Sequence, residues 1–260
     1  MIVYKLGGAA LQHCLSSATV FAELARHAPG PFAIVHGGGP EITATAAKLG
    51  IESTFIDGQR VTDAAMLNVV LMALRGKTNS ELVLRINHAG LRALGGSGLD
   101  ANLFECREEN PALGLVGKVS HVNSEWVRVA VENGFCPVIA SVGLLTSSAG
   151  VPQGPCNINA DLAATALAQS LAAKEFVFTT DAEGVLDEHG DCIPHLTVAQ
   201  TSELIRRGVI KGGMIVKIRA ALEFLESAPA STLRIAGGKS PEQIARVFSD
   251  PSFGTRITAL

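Results

Sequence analysis

Aromatic side chains are scarce: ten Phe, one Trp and one Tyr in 260 residues, or 5%. A protein that holds single-stranded nucleic acid on stacked bases needs more of them. The net charge is −3 at pH 7 and no long basic run occurs, so the electrostatic footprint of a nucleic-acid partner is missing as well. Long apolar runs are also absent. The 47% of apolar residues fall in short segments, none approaching the roughly 18 that a membrane helix requires. The opening MIVYKLGGAA has neither the charged start nor the cleavage site of a signal peptide. Cys14, Cys106, Cys136, Cys156 and Cys192 are odd in number and include no CxxC pair, which reads as reduced thiols and not as a disulfide frame or zinc site. The expectation is a soluble, cytoplasmic, globular protein with no nucleic-acid or membrane partner.

What is present is an alternation. Short β-rich runs at 2–5, 32–36, 136–140, 176–180 and 233–236 are interleaved with helical patterns. The helical spacing covers 16–28, 40–49, 63–75, 78–89, 123–133, 161–172, 198–207, 214–226 and 241–248. This order predicts an α/β fold with a mainly parallel sheet under helices. The strands are nearly continuous apolar runs, as expected when both faces are buried. The glycine-rich 95–122 predicts a hairpin, and the last third carries strands and helices of its own, which predicts two lobes on one sheet.

Two glycine turns carry the first chemical signal. In IVHGGGPEI, residues 34–42, a strand ends in His36, Gly37, Gly38 and Gly39 follow, and Pro40-Glu41 opens a helix. A helix N-terminus presents unpaired N–H groups and partial positive charge, and glycines let an anion reach them. Lys5-Leu6-Gly7-Gly8 repeats the pattern with a lysine added. Either turn alone also suits a plain strand-to-helix connection; together they favour a phosphate or carboxylate site. The common phosphate fingerprints are missing. Gly238-Lys239-Ser240 ends like a Walker A motif, but position 233 is Leu where glycine is needed. Gly96 to Ala101 imitates the dinucleotide pattern in a poor strand context.

CNINAD, 156–161, leaves two readings open: Asp161 as a helix N-cap with turn asparagines, or a functional carboxylate. In GGMIVK, 212–217, Lys217 lies near a positive helix start, where the dipole gives a cation nothing. In GQRVTD, 58–63, Arg60 is a fork suited to carboxylate, or a surface ion pair. His36 is the histidine beside a candidate site, and packing or a backbone bond is its expected role.

Taken in order, KLGG, VHGGGPEI, GQRVTD, NINAD, TTDAEGVLD, GGMIVK and GTRIT resemble the amino acid kinase superfamily, and within it the N-acetylglutamate kinase family, over essentially the whole chain. The resemblance implies a three-layer αβα sandwich with a mainly parallel central sheet in two lobes. Residues 1–172 would bind the acyl amino acid and dimerise, and 173–260 would bind ATP. The implied reaction is ATP-dependent phosphorylation of the γ-carboxylate of N-acetyl-L-glutamate, a step of arginine synthesis. Lys5 and Lys217 would stabilise the transferring phosphoryl group, with Asp161 holding them. Gly8, Gly38 and Gly39 would donate backbone N–H groups, while Arg60 and Asn157 would grip the α-carboxylate with Asn159 nearby. Gly7, Asp181, Gly184, Val185, Leu186, Val209, Ile210 and Lys211 would serve the nucleotide, and Mg2+ would be held mainly by its phosphates, with no protein metal ligand.

The chemistry agrees. A carboxylate acceptor, with a pKa of about 4.3, is ionised at neutral pH and needs no general base. Phosphoryl transfer needs positioning and positive charge. Two lysines about 4 Å apart repel by about 4 kcal/mol at an effective dielectric of about 20, which an intervening carboxylate offsets. Because KLGG begins at residue 5, no room is left for the N-terminal helix of arginine-inhibited hexamers, which implies a homodimer without arginine feedback. GGSGLDAN, 95–102, departs from the GLSG-x-D-G of many relatives. An aminoadipate acceptor, free or on a carrier protein, differs by one methylene, worth about 1–3 kcal/mol; Arg85, His88 and Arg92 are too sparse to mark a carrier rim. A non-catalytic sensor and a nicotinamide oxidoreductase using 96–101 are the readings of other classes.

Overall fold

The structure is a computed structural model that describes residues 1–260 except 18, 28, 29 and 148, with the backbone alone at 213, 216 and 220. Strand β1 (Ile2–Leu6) is followed by helices α1 (Gly8–Ser16) and α2 (Val20–His27), strand β2 (Phe32–His36) and helix α3 (Gly39–Lys48). A small ribbon of β3 (Phe55–Ile56) and β4 (Gln59–Arg60) leads into one helical run: α4 (Ala64–Val70), a π-helical stretch over Leu71–Thr78, and α5 (Asn79–His88). Then come β5 (Ala93–Ser97), β6 (Phe104–Glu108), β7 (Gly117–Val122), α6 (Glu125–Glu132), β8 (Cys136–Ala140), β9 (Val142–Thr146), β10 (Pro152–Asn157) and α7 (Ala160–Ser170). The last third holds β11 (Glu175–Thr180), β12 (His195–Thr197), α8 (Val198–Arg206), α9 (Gly213–Ser227), β13 (Thr232–Gly237), α10 (Pro241–Ser249) and β14 (Thr255–Thr258).

Eight strands form one sheet in the order β12-β14-β13-β11-β1-β2-β8-β5. Every neighbouring pair is parallel except β13 with β14. Parallel neighbours need crossovers, and the crossover helices cover both faces. Side chains alternate along a strand, so each strand feeds two cores. Val3, Val35, Ile139, Phe176 and Phe178 face one side, where α7 and α9 supply Ala163, Leu167, Ile218 and Phe224. Tyr4, Leu6, Ile34, Val138 and Val177 face the other, against Leu11, Phe21, Leu82 and Val247. Each large apolar side chain so buried contributes on the order of 2–3 kcal/mol. The same alternation turns Lys5 toward α7 and His36 toward α5. The three-layer αβα sandwich is thus observed, with helices on both faces of a mainly parallel sheet. A second sheet, β10-β9-β6-β7, includes the antiparallel β6–β7 hairpin expected within 95–122 and carries Asn157 at the end of β10.

Three local differences from the sequence reading have physical causes. The helix expected over 16–28 is α2, which begins only at Val20, and it is preceded by α1, which the sequence reading lacked: α1 starts at Gly8, whose φ of +52° hides the start from a propensity reading, and it ends before Ser17, which is extended. Positions 18 and 28 of that span lie outside the described residues. The helices expected at 63–75 and 78–89 are continuous, because the π-helical stretch carries Gly76 and Lys77 through. Strand β5 escapes notice because two of its five residues are glycine. A Cβ on Gly95 would collide with the Asn79 amide, and one on Gly96 would stand 2.9 Å from the Trp126 ring.

Candidate active site

Lys5, near the end of β1, is 5% exposed and faces α7. Its ammonium lies 2.7 Å from Asp161 Oδ1 and 4.7 Å from the centre of the Phe178 ring. An ammonium this deeply buried requires such a partner. Asp161 stands in the first turn of α7, where the helix dipole favours a carboxylate. It is not the N-cap: Asn159 Oδ1 accepts from the Asp161 N–H at 2.8 Å. The side chain of Asp161 is thereby left for Lys5. Gly7 makes room for the pair, since a Cβ there would stand 2.5 Å from Lys5 Nζ.

The second glycine turn lines a cavity of about 200 Å³, with Gly38, Gly39, Arg60, Asn157 and Asn159 in its wall. The three glycines divide the work. A Cβ on Gly37 would press on Ala160 Cβ at 3.1 Å and one on Gly38 on Leu74 Cδ2 at 2.5 Å, whereas one on Gly39 would meet nothing within 4 Å. Two glycines therefore serve close packing and the third keeps the cavity open. Helix α3 starts at Gly39 and α7 at Ala160, so two helix N-termini converge on this space. Their free N–H groups and dipoles make it attractive to anions.

Arg60 adds a full charge. Its guanidinium donates to Ser53 Oγ at 2.6 Å, to Thr43 Oγ1 at 2.8 Å and to the Gly39 carbonyl at 3.2 Å, and it lies over the Phe55 ring at 4.7 Å. Every one of these partners is neutral, and no acidic side chain pairs with Arg60 among the described residues. Burial pulls its pKa below the ordinary value. The cavity thus holds a cation fixed in place without a counter-charge. Asn157 is oriented by its Nδ2, which donates to Thr62 Oγ1 at 3.2 Å.

His36 is fully buried, and burial pushes its pKa down to about 4. Its Nδ1 lies 2.8 Å from the Gly37 carbonyl and its Nε2 lies 3.0 Å from Asn79 Nδ2, so it bonds to backbone as its sequence context suggested.

The remaining candidates lie elsewhere. Gly8, with φ +52°, faces Asp181: a Cβ on it would be 3.5 Å from Asp181 Oδ1. Lys217 is half-buried in α9, the helix that packs beside α7 on the same face, and makes no ion pair among the described residues. The nucleotide candidates do not gather around one cavity. Val185 and Ile210 are core side chains, and Gly184 packs against Cys192 and Thr255. Asp181, Leu186 and Lys211 are exposed, and Val209 lines a separate cavity of about 230 Å³ with Asp187 and Arg207. The dinucleotide-like 96–101 opens no α-helix, only a single 3-10 turn at Asp100–Asn102: Asp100 accepts from Ser97 N–H at 2.6 Å and Oγ–H at 2.7 Å, tying a tight turn into β6. Ser53, Thr43, Phe55 and Asn79 are site residues that sequence reasoning missed. A Ser, a Thr or an Asn in loop or helix surroundings carries no local signal of what it will meet.

A model of the amino acid kinase family matches residues 1–235. The chain is 39% identical to the acetylglutamate kinase of Moorella thermoacetica, covering 98% of this chain and 90% of that protein. It is 37% identical to the acetylglutamate kinase of Syntrophomonas wolfei with the same coverage. The crystal structure of smu.665 from Streptococcus mutans superposes with a TM-score of 0.75 at 29% identity, over 100% of this chain and 98% of that one.

Proposed function

The chain belongs to the amino acid kinase family, and we propose that it transfers the γ-phosphoryl group of ATP to the γ-carboxylate of N-acetyl-L-glutamate in arginine biosynthesis. The observation that supports this reading most is Arg60: a buried guanidinium in the cavity wall whose protein partners are all neutral. An acceptor's α-carboxylate would supply the missing charge, with Asn157 and Asn159 beside it. The N–H groups of Gly38 and Gly39 would receive the γ-carboxylate or the phosphoryl oxygens.

The acceptor carboxylate is ionised at neutral pH and attacks without a base. What the chain supplies is charge and alignment. Lys5, locked on Asp161, would meet the equatorial oxygens from the sheet, and Lys217 would meet them from α9. The donor set at these turns, backbone N–H groups and ammonium ions, suits phosphate oxygens and not a metal ion. Mg2+ would therefore arrive on the nucleotide's phosphates and neutralise charge there. In this reading residues 1–172 take the acceptor and 173–260 take ATP, the nucleotide set acting largely through backbone because Val185 and Ile210 are core side chains.

The test is hydroxylamine trapping of the acyl phosphate with ATP and N-acetyl-L-glutamate, N-acetyl-aminoadipate, glutamate or aspartate. Preference for N-acetyl-L-glutamate is expected, and turnover of a different acceptor alone would overturn the substrate assignment. A homodimer is also proposed. Strand β5 ends the sheet with Leu94 exposed, and Leu84 and Val129 are exposed on α5 and α6; an open apolar edge invites a second copy. Light scattering on the purified protein should give twice the mass of 27.0 kDa. All five cysteines are free thiols, which suits a cytoplasmic enzyme.

A further inference from the structure

Both backbone polar groups of Gly37 are tied down. The Gly37 N–H donates to the Leu6 carbonyl at 3.2 Å, which anchors the turn to β1. The Gly37 carbonyl faces His36 Nδ1 at 2.8 Å. A carbonyl can only accept, so Nδ1 carries the proton and donates to it. The other ring nitrogen agrees. Asn79 Nδ2 lies 2.9 Å from the Val138 carbonyl and 3.3 Å from the Gly96 carbonyl, so that end of the amide is its NH2 group. It donates to Nε2 at 3.0 Å, and Nε2 must be the bare nitrogen. Asn79 thereby selects one tautomer of a neutral imidazole.

In a trans peptide the C=O and the following N–H point in opposite directions. His36 reaches toward α5, so the Gly37 carbonyl is drawn to that side of the sheet. The Gly38 N–H is then turned away from that side, and Gly38 lines the cavity together with Asn159 and Ala160 at the start of α7. It has no acceptor among the described residues. We propose that His36 and Asn79 are positioning residues, Asn79 setting the tautomer and His36 clamping the Gly37 carbonyl so that the Gly38 N–H is aimed at the charge on the reacting group. The functional half of this inference rests on the phosphoryl-transfer reading; the clamp itself does not.

Two substitutions separate the two ring nitrogens. His36→Asn carries an amide nitrogen at the distance of Nδ1 and keeps the clamp; His36→Gln carries its amide out to the distance of Nε2, where its oxygen accepts from Asn79 Nδ2, and releases the Gly37 carbonyl. H36Q should lose kcat by about 10- to 100-fold, toward the loss seen when one oxyanion donor is removed, with both KM values within about threefold of wild type. H36N should lose no more than about threefold. Crystal structures of the two variants should show the Gly37–Gly38 peptide rotated in H36Q and held in H36N. Equal losses in the two variants, or an unrotated peptide in H36Q, would overturn the inference. The peptide's orientation needs no turnover to be read. A wild type that forms no acyl phosphate would therefore remove the kinase reading while the clamp is still decided.

Discussion

The Lys5 ammonium and the Asp161 carboxylate meet at 2.7 Å between the central strand of the sheet and the first turn of α7. Replacing the carboxylate by an amide leaves the ammonium buried and unpaired. Asp161→Asn should cost about 1–3 kcal/mol of stability in urea unfolding, less than a fully buried pair because Asp161 retains some exposure. The rate of acyl phosphate formation should fall by more than 100-fold. A variant with full activity would place Asp161 outside the chemistry.

Arg60 is held by neutral groups, so its charge is left for a ligand. Arg60→Ala should raise the acceptor's KM by about 100-fold while the KM for ATP stays near wild type. Arg60→Lys should recover little, because an ammonium lacks the planar fork that meets Ser53, Thr43 and a carboxylate together. Initial-rate kinetics in both substrates would show it, and a changed ATP affinity would argue against the placement.

Neighbouring glycines should behave in opposite ways. Gly38→Ala drives a methyl group into Leu74 and should cost about 1–3 kcal/mol. Gly39→Ala meets no atom within 4 Å and sits in a helical first turn, so its melting temperature should stay within about 2 °C of wild type. Its methyl group nevertheless enters the ligand space, and its kcat/KM should drop about tenfold or more. Thermal unfolding and kinetics on the two variants would separate packing from access.

The buried His36 should leave a mark on stability against pH. Burial drives its pKa down to about 4; the Gly37 bond opposes this and the Arg75 cation assists it. An unfolded histidine titrates near about 6.5, so between these values the unfolded chain binds a proton that the folded chain refuses. The contribution is complete above about pH 6.5 and is lost as the pH falls, by about 3 kcal/mol on reaching pH 4. His36→Asn should flatten that part of the profile. Parallel slopes for the two proteins would show that His36 titrates normally in the fold.

The parts of this molecule written in local pattern were legible. FAIVH and CPVIA are strands at the residues expected, because an apolar run bounded by turns has few alternatives when both faces are covered. The glycine turn singled out Gly38 and Gly39, the family resemblance singled out Arg60, Asn157 and Asn159, and all five line one cavity. Asn79 did not: it lies inside an unbroken helical run, and its importance comes from His36, Gly96 and Val138, which only the fold brings to it. Strand β5 and helix α1 were hidden for a related reason. The glycines of β5 answer to Asn79 and Trp126 across the interface, and Gly8 opens α1 in a left-handed conformation that local propensity does not signal.

Strand β1 precedes both of its neighbours in the chain and lies in the middle of the sheet, between β2 and β11. One flank is filled almost at once, but β11 begins only at residue 175. At a synthesis rate of roughly 5–20 residues per second, the other flank waits on the order of ten to thirty seconds. During that interval Val3 lacks Phe176 beside it, and until α7 emerges Lys5 lacks its counter-ion. The newborn chain therefore carries an open strand edge until β11 emerges, with unpaired N–H and C=O groups along it. The Lys5–Asp161 ion pair closes late, only once α7 has followed β1 out of the ribosome.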